Sequence, residues 1–274
     1  MKLSIITINL NNQAGLRRTI ESVVSQTFKD FEWIVIDGGS TDGSKELLEQ
    51  YANHIAYLVS EPDKGIYNAM NKGIRVANGE YIQFLNSGDW FWNRDSLADV
   101  FYLNPNTDIF YADCNLMDGD SVVERRRYPE IMSLKEILEF NICHNSTFFK
   151  RDLFNNDIYN ENLYIAADFE FLLKKILENH SIAHLPTLLI GYDISGISGS
   201  NPDIINKEKK TIIKAYISPA IQKDLNAIDF LSEHKKDAVL EKIDYYRKHS
   251  RFYHKLITAS LILMEKFSRN HIEL

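Results

Sequence analysis

Four apolar, strand-like runs, each ending abruptly in small polar or acidic residues, set the strongest limit on what this chain can fold into. Leu3 to Ile8 is rich in Ile, then Leu16, Ile20, Val23 and Val24 recur at helical spacing, and Phe31 to Ile36 is apolar again. That order is a βαβ unit. A second helix is expected from about Gly43 to Gln50, a short strand over Ile55 to Val59, and a helix carrying Ile66, Met70 and Ile74 before a fourth strand opens at Tyr81. The fold class is therefore α/β, a mostly parallel, Rossmann-like sheet flanked by helices. Parallel strands bring their carboxyl ends to one edge of the sheet. There they would gather Thr7 and Asn9, then Asp37 with Gly38 and Ser40, then Glu61 and Asp63, and finally Asp89.

The fourth run, Tyr-Ile-Gln-Phe-Leu-Asn-Ser-Gly-Asp from Tyr81, delivers a lone carboxylate to that crevice, where a metal-bound diphosphate could sit. An Asp serving only its own turn is the structural alternative. With 274 residues, 45% of them hydrophobic, the chain can bury a large core as one extended domain or a domain with an appendage. No apolar run reaches the ~18 residues of a membrane span, and Met1 leads straight into a strand without a cleavable signal pattern, so a cytoplasmic protein is expected. Cys114 and Cys143 lie far apart without metal-type spacing and read as reduced structural thiols.

The net charge of −7 is uneven: residues 205–274 carry 14 Lys or Arg against 9 Asp or Glu, leaving the first 204 with an excess of 12 acids. An acidic main region argues against a nucleic-acid groove, which needs a basic field. The basic tail has an apolar stripe at Leu256, Ile257, Leu261, Ile262 and Met264. It fits either packing on the main domain or a peripheral contact with an anionic bilayer at the inner face of the membrane.

Three blocks together resemble the large inverting glycosyltransferase family 2, with its GT-A fold. They are the opening Leu-Ser-Ile-Ile-Thr-Ile-Asn-Leu-Asn-Asn, Phe-Glu-Trp-Ile-Val-Ile-Asp-Gly-Gly-Ser-Thr-Asp-Gly-Ser from Phe31, and Glu-Pro-Asp-Lys-Gly-Ile-Tyr-Asn-Ala-Met-Asn-Lys-Gly-Ile from Glu61. The likeness is close through Asp89 and continues to about Glu208, taking in His144 to Phe149, the Asp168 region and Asp193 to Ser198. It implies a nucleotide-sugar donor, UDP-sugar favoured, and a glycan or lipid-linked saccharide acceptor of surface polysaccharide biosynthesis. A GT-A domain is expected over 1–220 and a C-terminal helical extension over 221–274.

The resemblance also distributes roles. It makes Asp37 a pyrimidine-binding carboxylate, with Thr7, Asn9, Gly38 and Ser40 around it; on the residues alone, Asp37 equally begins a Gly38-Gly39-Ser40 turn. Asp63 and Lys64 would lie against the nucleotide, although an Asp opening a helix also suits an N-cap. Asp89 would hold a divalent Mn²⁺ or Mg²⁺ at the diphosphate, hard ions suited to carboxylate and phosphate oxygens. The family's Asp-x-Asp is altered here, since Asn86, Ser87 and Gly88 precede the single Asp89. Asn86 is then expected at the ribose or a metal-bound water, and the ion to bind fully only with the donor. Asp168, at the start of a helix, resembles the family's general base, with Glu170 as internal competitor. His144 and Ser198 are candidates for the phosphate or acceptor, Ser198 within a Gly-rich stretch composed like a lid.

No Gly-x-Gly-x-x-Gly follows the first strand and no Gly-x-x-x-x-Gly-Lys-Ser/Thr run exists, which disfavours nicotinamide and P-loop enzymes. The Gln-x-x-Arg-Trp sequence of processive relatives is missing, which favours transfer of a single sugar. Two rivals stay open at this level: a sugar nucleotidyltransferase, which needs a basic Gly-rich loop where Asn11 to Gly15 stands, and a catalytically silent nucleotide-sugar-binding protein.

Overall fold

The computed structural model describes residues 1–130, 132, 134–139, 142–196 and 201–224. The chain divides into two compact units, Met1–Tyr216 and Ile217–Leu274, and the sheet with its helices makes up the first. The expected tail helix carrying Leu256 to Met264 lies outside the described residues, as does Ser198.

The first half alternates as its apolar runs require: β1 (Leu3–Asn9), α1 (Gln13–Val24), β2 (Phe31–Asp37), α2 (Ser44–Gln50), β3 (Tyr57–Ser60), α3 (Ile66–Val76) and β4 (Tyr81–Phe84). β3 starts two residues later than the apolar run suggests. Ala52–His54 winds into a 3₁₀ turn, and the Ile55 N–H is used to close it on the Ala52 carbonyl at 3.2 Å. The second half is less regular, with β5 (Trp90–Phe91), α4 (Ser96–Tyr102), β6 (Ile109–Asp118), β7 (Ser121–Arg126), α5 (Leu134–Glu139), β8 (Thr147–Lys150), α6 (Ala167–Leu177), β9 (Ile182–Asp193) and α7 (Pro202–Tyr216).

Among the described residues these strands form one mixed sheet in the order β3-β2-β1-β4-β8-β6-β9-β5, with β7 paired to β6. β1 to β4, β6 and β9 share one direction; β5, β7 and β8 oppose it, so the sheet is mostly parallel. Successive side chains of a strand point to opposite faces, and here each face is roofed by helices. Leu3, Ile5, Trp33 and Val35 pack under α1, α2 and α4 through Leu16, Ile20, Leu47 and Leu97. Ile6, Ile34, Ile36 and Ile82 pack under α3 and α6 through Met70, Ile74, Phe171 and Leu172. Burial on both faces explains why these strands read as continuous apolar runs rather than alternating ones.

β8 decides what reaches the upper edge of the sheet. It runs against β4, pairing Gln83 with Phe148, so its beginning rather than its end lies beside the end of β4. The 3₁₀ turn His144–Ser146 that leads into it is thereby brought to the edge where β1 to β4 terminate.

Candidate active site

The in-register pairing of three parallel strands sets Asn9 beside Asp37 and Asp37 beside Ser60. Asp37 is fully buried, and all its acceptor capacity faces the protein. Oδ1 accepts from Asn9 Nδ2 at 2.8 Å and Ser40 Oγ at 2.5 Å, while Oδ2 accepts from the Ser40 N–H at 2.9 Å and Ser60 Oγ at 2.6 Å. Burial pushes this carboxyl up, but the bonds from Ser40, Ser60 and Asn9 outweigh it and hold its pKa below the ordinary value. Thr7 is likewise buried, its Oγ1 accepting from the Trp33 indole at 3.0 Å. Thr7 and Asp37 are thus both buried and bonded within the protein at the strand ends. Asn9 differs: its Oδ1 is buried and has no donor.

Close by lie Gly38, Asp63 and Leu10. A Cβ on Gly38 would come within 3.1 Å of Asp63 Oδ2 and 3.2 Å of Leu10 Cδ1, so the glycine lets the Asp63 carboxylate close over the turn. Lys72, unforeseen in the sequence, holds that carboxylate at 2.5 Å and also reaches Glu61 at 2.8 Å. Lys64 is exposed, and its backbone N–H donates to Asn68 Oδ1.

The turn from Asn86 to Asp89 is stapled to α1. Thr19 Oγ1 donates to the Asp89 carbonyl at 2.7 Å and accepts from the Gly88 N–H at 3.0 Å, and Asn12 Nδ2 donates to the Ser87 carbonyl at 3.1 Å. Gly88 holds φ +105° there, in the left-handed region that suits a residue without Cβ. The Asp89 carboxylate is buried, accepting from Asn145 Nδ2 and from the Asp193 N–H at 2.8 Å. Burial drives its pKa well above the ordinary value despite those two donors, and the Asp193 charge adds to the rise. The ionised form of Asp89 is stabilised by positive charge, and nearby Asn86, which shares Asn145 as a partner, keeps a buried Oδ1 without a donor. The donor set fits an oxygen-seeking ion, although no group of three or more His, Cys, Asp or Glu that could hold one occurs among the described residues.

Asp168 opens α6. Its N-cap, Ala166, has no side chain able to cap the helix; instead Glu208 of α7 accepts from the N–H groups of Tyr164 (2.7 Å), Ile165 (3.0 Å) and Ala166 (3.0 Å). Lys209 lies over the Phe169 ring at 4.4 Å. The Tyr67 hydroxyl donates to Asp168 Oδ1 at 2.8 Å. Glu170, the competitor, accepts from Tyr216 at 3.1 Å on another side of the helix. His144 lines one small cavity with Asp168, Thr147 and Phe169, stacks on Phe84 and bonds Tyr159 through Nε2 at 2.8 Å. Burial lowers its pKa against the pull of Asp168, so it is neutral at pH 7. Adjacent residues of one turn therefore bridge the site: Asn145 bonds Asp89, and His144 borders Asp168. Of the residues in these contacts, the sequence did not single out Ser60, Tyr67, Lys72, Asn145, Glu208 or Lys209. Tyr67, Lys72 and Asn145 do stand inside the motif blocks.

Residues 4–180 match the model of glycosyl transferase family 2. The chain belongs to that family. It is 34% identical over 203 residues to an uncharacterized glycosyltransferase of Mycobacterium tuberculosis, an alignment covering 71% of this chain and 76% of the relative. It is also 31% identical over 179 residues to a PGL/p-HBAD biosynthesis glycosyltransferase of Mycobacterium bovis, with 62% and 68% covered. Among solved structures, Staphylococcus aureus TarS in complex with UDP superposes with a TM-score of 0.64 at 23% identity, covering 85% of this chain and 72% of that one; TarS has also been solved with UDP-GlcNAc. The family 2 chain is accordingly a hexosyltransferase-type enzyme on a GT-A fold. Among its described residues, no helix is long and apolar enough to cross a membrane.

Proposed function

We propose that this family 2 enzyme transfers one sugar, with inversion, from a UDP-sugar to a hydroxyl of a glycan or lipid-linked acceptor in surface polysaccharide biosynthesis, on the cytoplasmic side of the membrane. One observation carries the reading. A single turn, His144–Asn145, connects a buried carboxylate suited to a cation, Asp89, with a second carboxylate at a helix start, Asp168. A leaving diphosphate and an attacking alcohol need those two functions on opposite sides of one anomeric carbon.

At the nucleotide end, the polar cluster of Asn9, Asp37 and Ser40 is placed to meet a pyrimidine, and exposed Leu10 is an apolar platform for its face. Thr7 supports the strand end through its bond from Trp33, and Ser40 ties Asn9, Asn11 and Asp37 together. Asp63 and Lys64 flank the same opening. That TarS binds UDP and UDP-GlcNAc supports uracil as the base. Asp89 and the Asn86 amide oxygen would hold Mn²⁺ or Mg²⁺, which when bound neutralises the diphosphate as it departs. Asp168 takes the proton from the acceptor hydroxyl during attack. His144, being neutral, borders the base without adding charge to it.

Transfer assays with UDP-sugars and Mn²⁺ test this. Asp168→Asn should lower kcat by roughly 10²–10⁴-fold, about 3–5 kcal/mol of transition-state stabilisation, while leaving the thermal shift produced by UDP intact. Saturating UDP, at about 100 times its dissociation constant, should add about 2.7 kcal/mol of apparent stability, with GDP and dTDP adding much less. UDP binding without any turnover would mark a silent binding protein, and equal shifts from all three nucleotides would remove the uracil assignment.

A further inference from the structure

The Tyr67 hydroxyl, part of a buried aromatic cluster, reaches the carboxylate of Asp168. Tyr67 stands in the first turn of α3, 5% exposed, and its ring packs against Tyr159 with centroids 5.6 Å apart. Tyr159 in turn contacts Phe84, Phe154 and Phe171. A ring wedged this way leaves its oxygen little freedom, and that oxygen points at Asp168 Oδ1, 2.8 Å away. Burial and the Asp168 charge both push the phenol's pKa well up, so it stays a proton donor at any working pH.

We propose that Tyr67 is a positioning residue for Asp168, a role that rests on the reading of Asp168 as the general base. A tyrosine hydroxyl has one proton to give. Spent on Oδ1, it fixes the plane of the carboxylate and leaves Oδ2 for the acceptor alcohol. General-base transfer requires heavy atoms within about 2.6–3.2 Å of each other, and displacements near 1 Å can cost on the order of 10²-fold in rate. An aspartate at the first turn of a helix has rotamers to choose from; Tyr67 selects one. A purely structural role predicts something else, since a phenylalanine would fill the same space in the cluster.

The experiment is a double-mutant cycle on the full chain, read by transfer kinetics with UDP-sugar and Mn²⁺. Tyr67→Phe should lower kcat about 10-fold or more with the donor KM and the UDP thermal shift unchanged. Placed on Asp168→Asn, it should cost nothing further, because the atom it positions is no longer a base. Equal fold-losses in both backgrounds, an undiminished kcat in the single variant, or a loss confined to donor KM would each overturn the proposal. If Asp168→Asn alone keeps full activity, it is the general-base reading that fails, an outcome separate from these. Independently of any variant, a crystal structure of the wild-type protein with UDP should retain the Tyr67 Oη to Asp168 Oδ1 hydrogen bond, and finding the two groups apart would equally dispose of the role.

Discussion

At the end of β2, donors from Asn9, Ser40 and Ser60 converge on one carboxylate, and it is the ionised form of Asp37 that they stabilise. Its folded pKa lies below the ordinary 3.8, so the stabilisation is complete above that value and is lost as pH falls through the folded pKa. Asp37→Asn should therefore destabilise the protein at pH 7 by about 1–3 kcal/mol and flatten the acid limb of Tm against pH below about pH 4. A variant that keeps the wild-type limb would show that Asp37 is not the group titrating there. Such residues were half legible in the sequence. A polar cluster at a strand end announces that something is organised there, but the same Asp-Gly-Gly-Ser serves whether the carboxylate lines a crevice or braces the turn behind it. Tyr67 was less legible still. Along α3 it is one more residue of the buried face beside Met70 and Ile74, and its partner Asp168 lies 101 residues away.

Helix α6 shows how an element can depend on another for its own beginning. The N-cap Ala166 supplies no side-chain oxygen, and Glu208 from α7 accepts from the Ala166 N–H and from those of Tyr164 and Ile165 before it, fixing the segment that leads into the helix. Glu208→Ala should cost on the order of 1–3 kcal/mol, measured by chemical denaturation, because it leaves three backbone donors without their acceptor. Activity should fall further than stability, since the segment set loose leads straight to Asp168; an Ala variant as active as wild type would refute the coupling. The regular elements up to β4 were readable because both faces of β1, β2 and β4 are buried and the helices between them keep a 3.6-residue apolar period. Beyond Asp89 the pattern thins. β5 is only two residues long, and β8 reverses direction, so a strand-end rule tuned to parallel neighbours overlooks Asn145 at the start of a strand.

On the proposed reading, the nucleotide, diphosphate and acceptor sides of the first unit come from different stretches of chain: Asn9, Asp37, Ser60, Asp63 and Lys72 would build the first, Asp89 with Asn145 and Asp193 the second, and Asp168 with the Glu208 clamp the third. We place the domain boundary near residue 220, just past the end of the first unit at Tyr216. A protein ending at residue 220 should accordingly show the same UDP-induced thermal shift as the full chain. A lost or halved shift would mean that residues beyond 220 help hold the donor.

The clamp made by Glu208 also imposes an order in time. During synthesis, at about 5–20 residues per second, the strand ends from Asn9 to Ser60 are made well before position 208 is translated, so the lead-in to Asp168 is among the last parts of the first unit to be anchored.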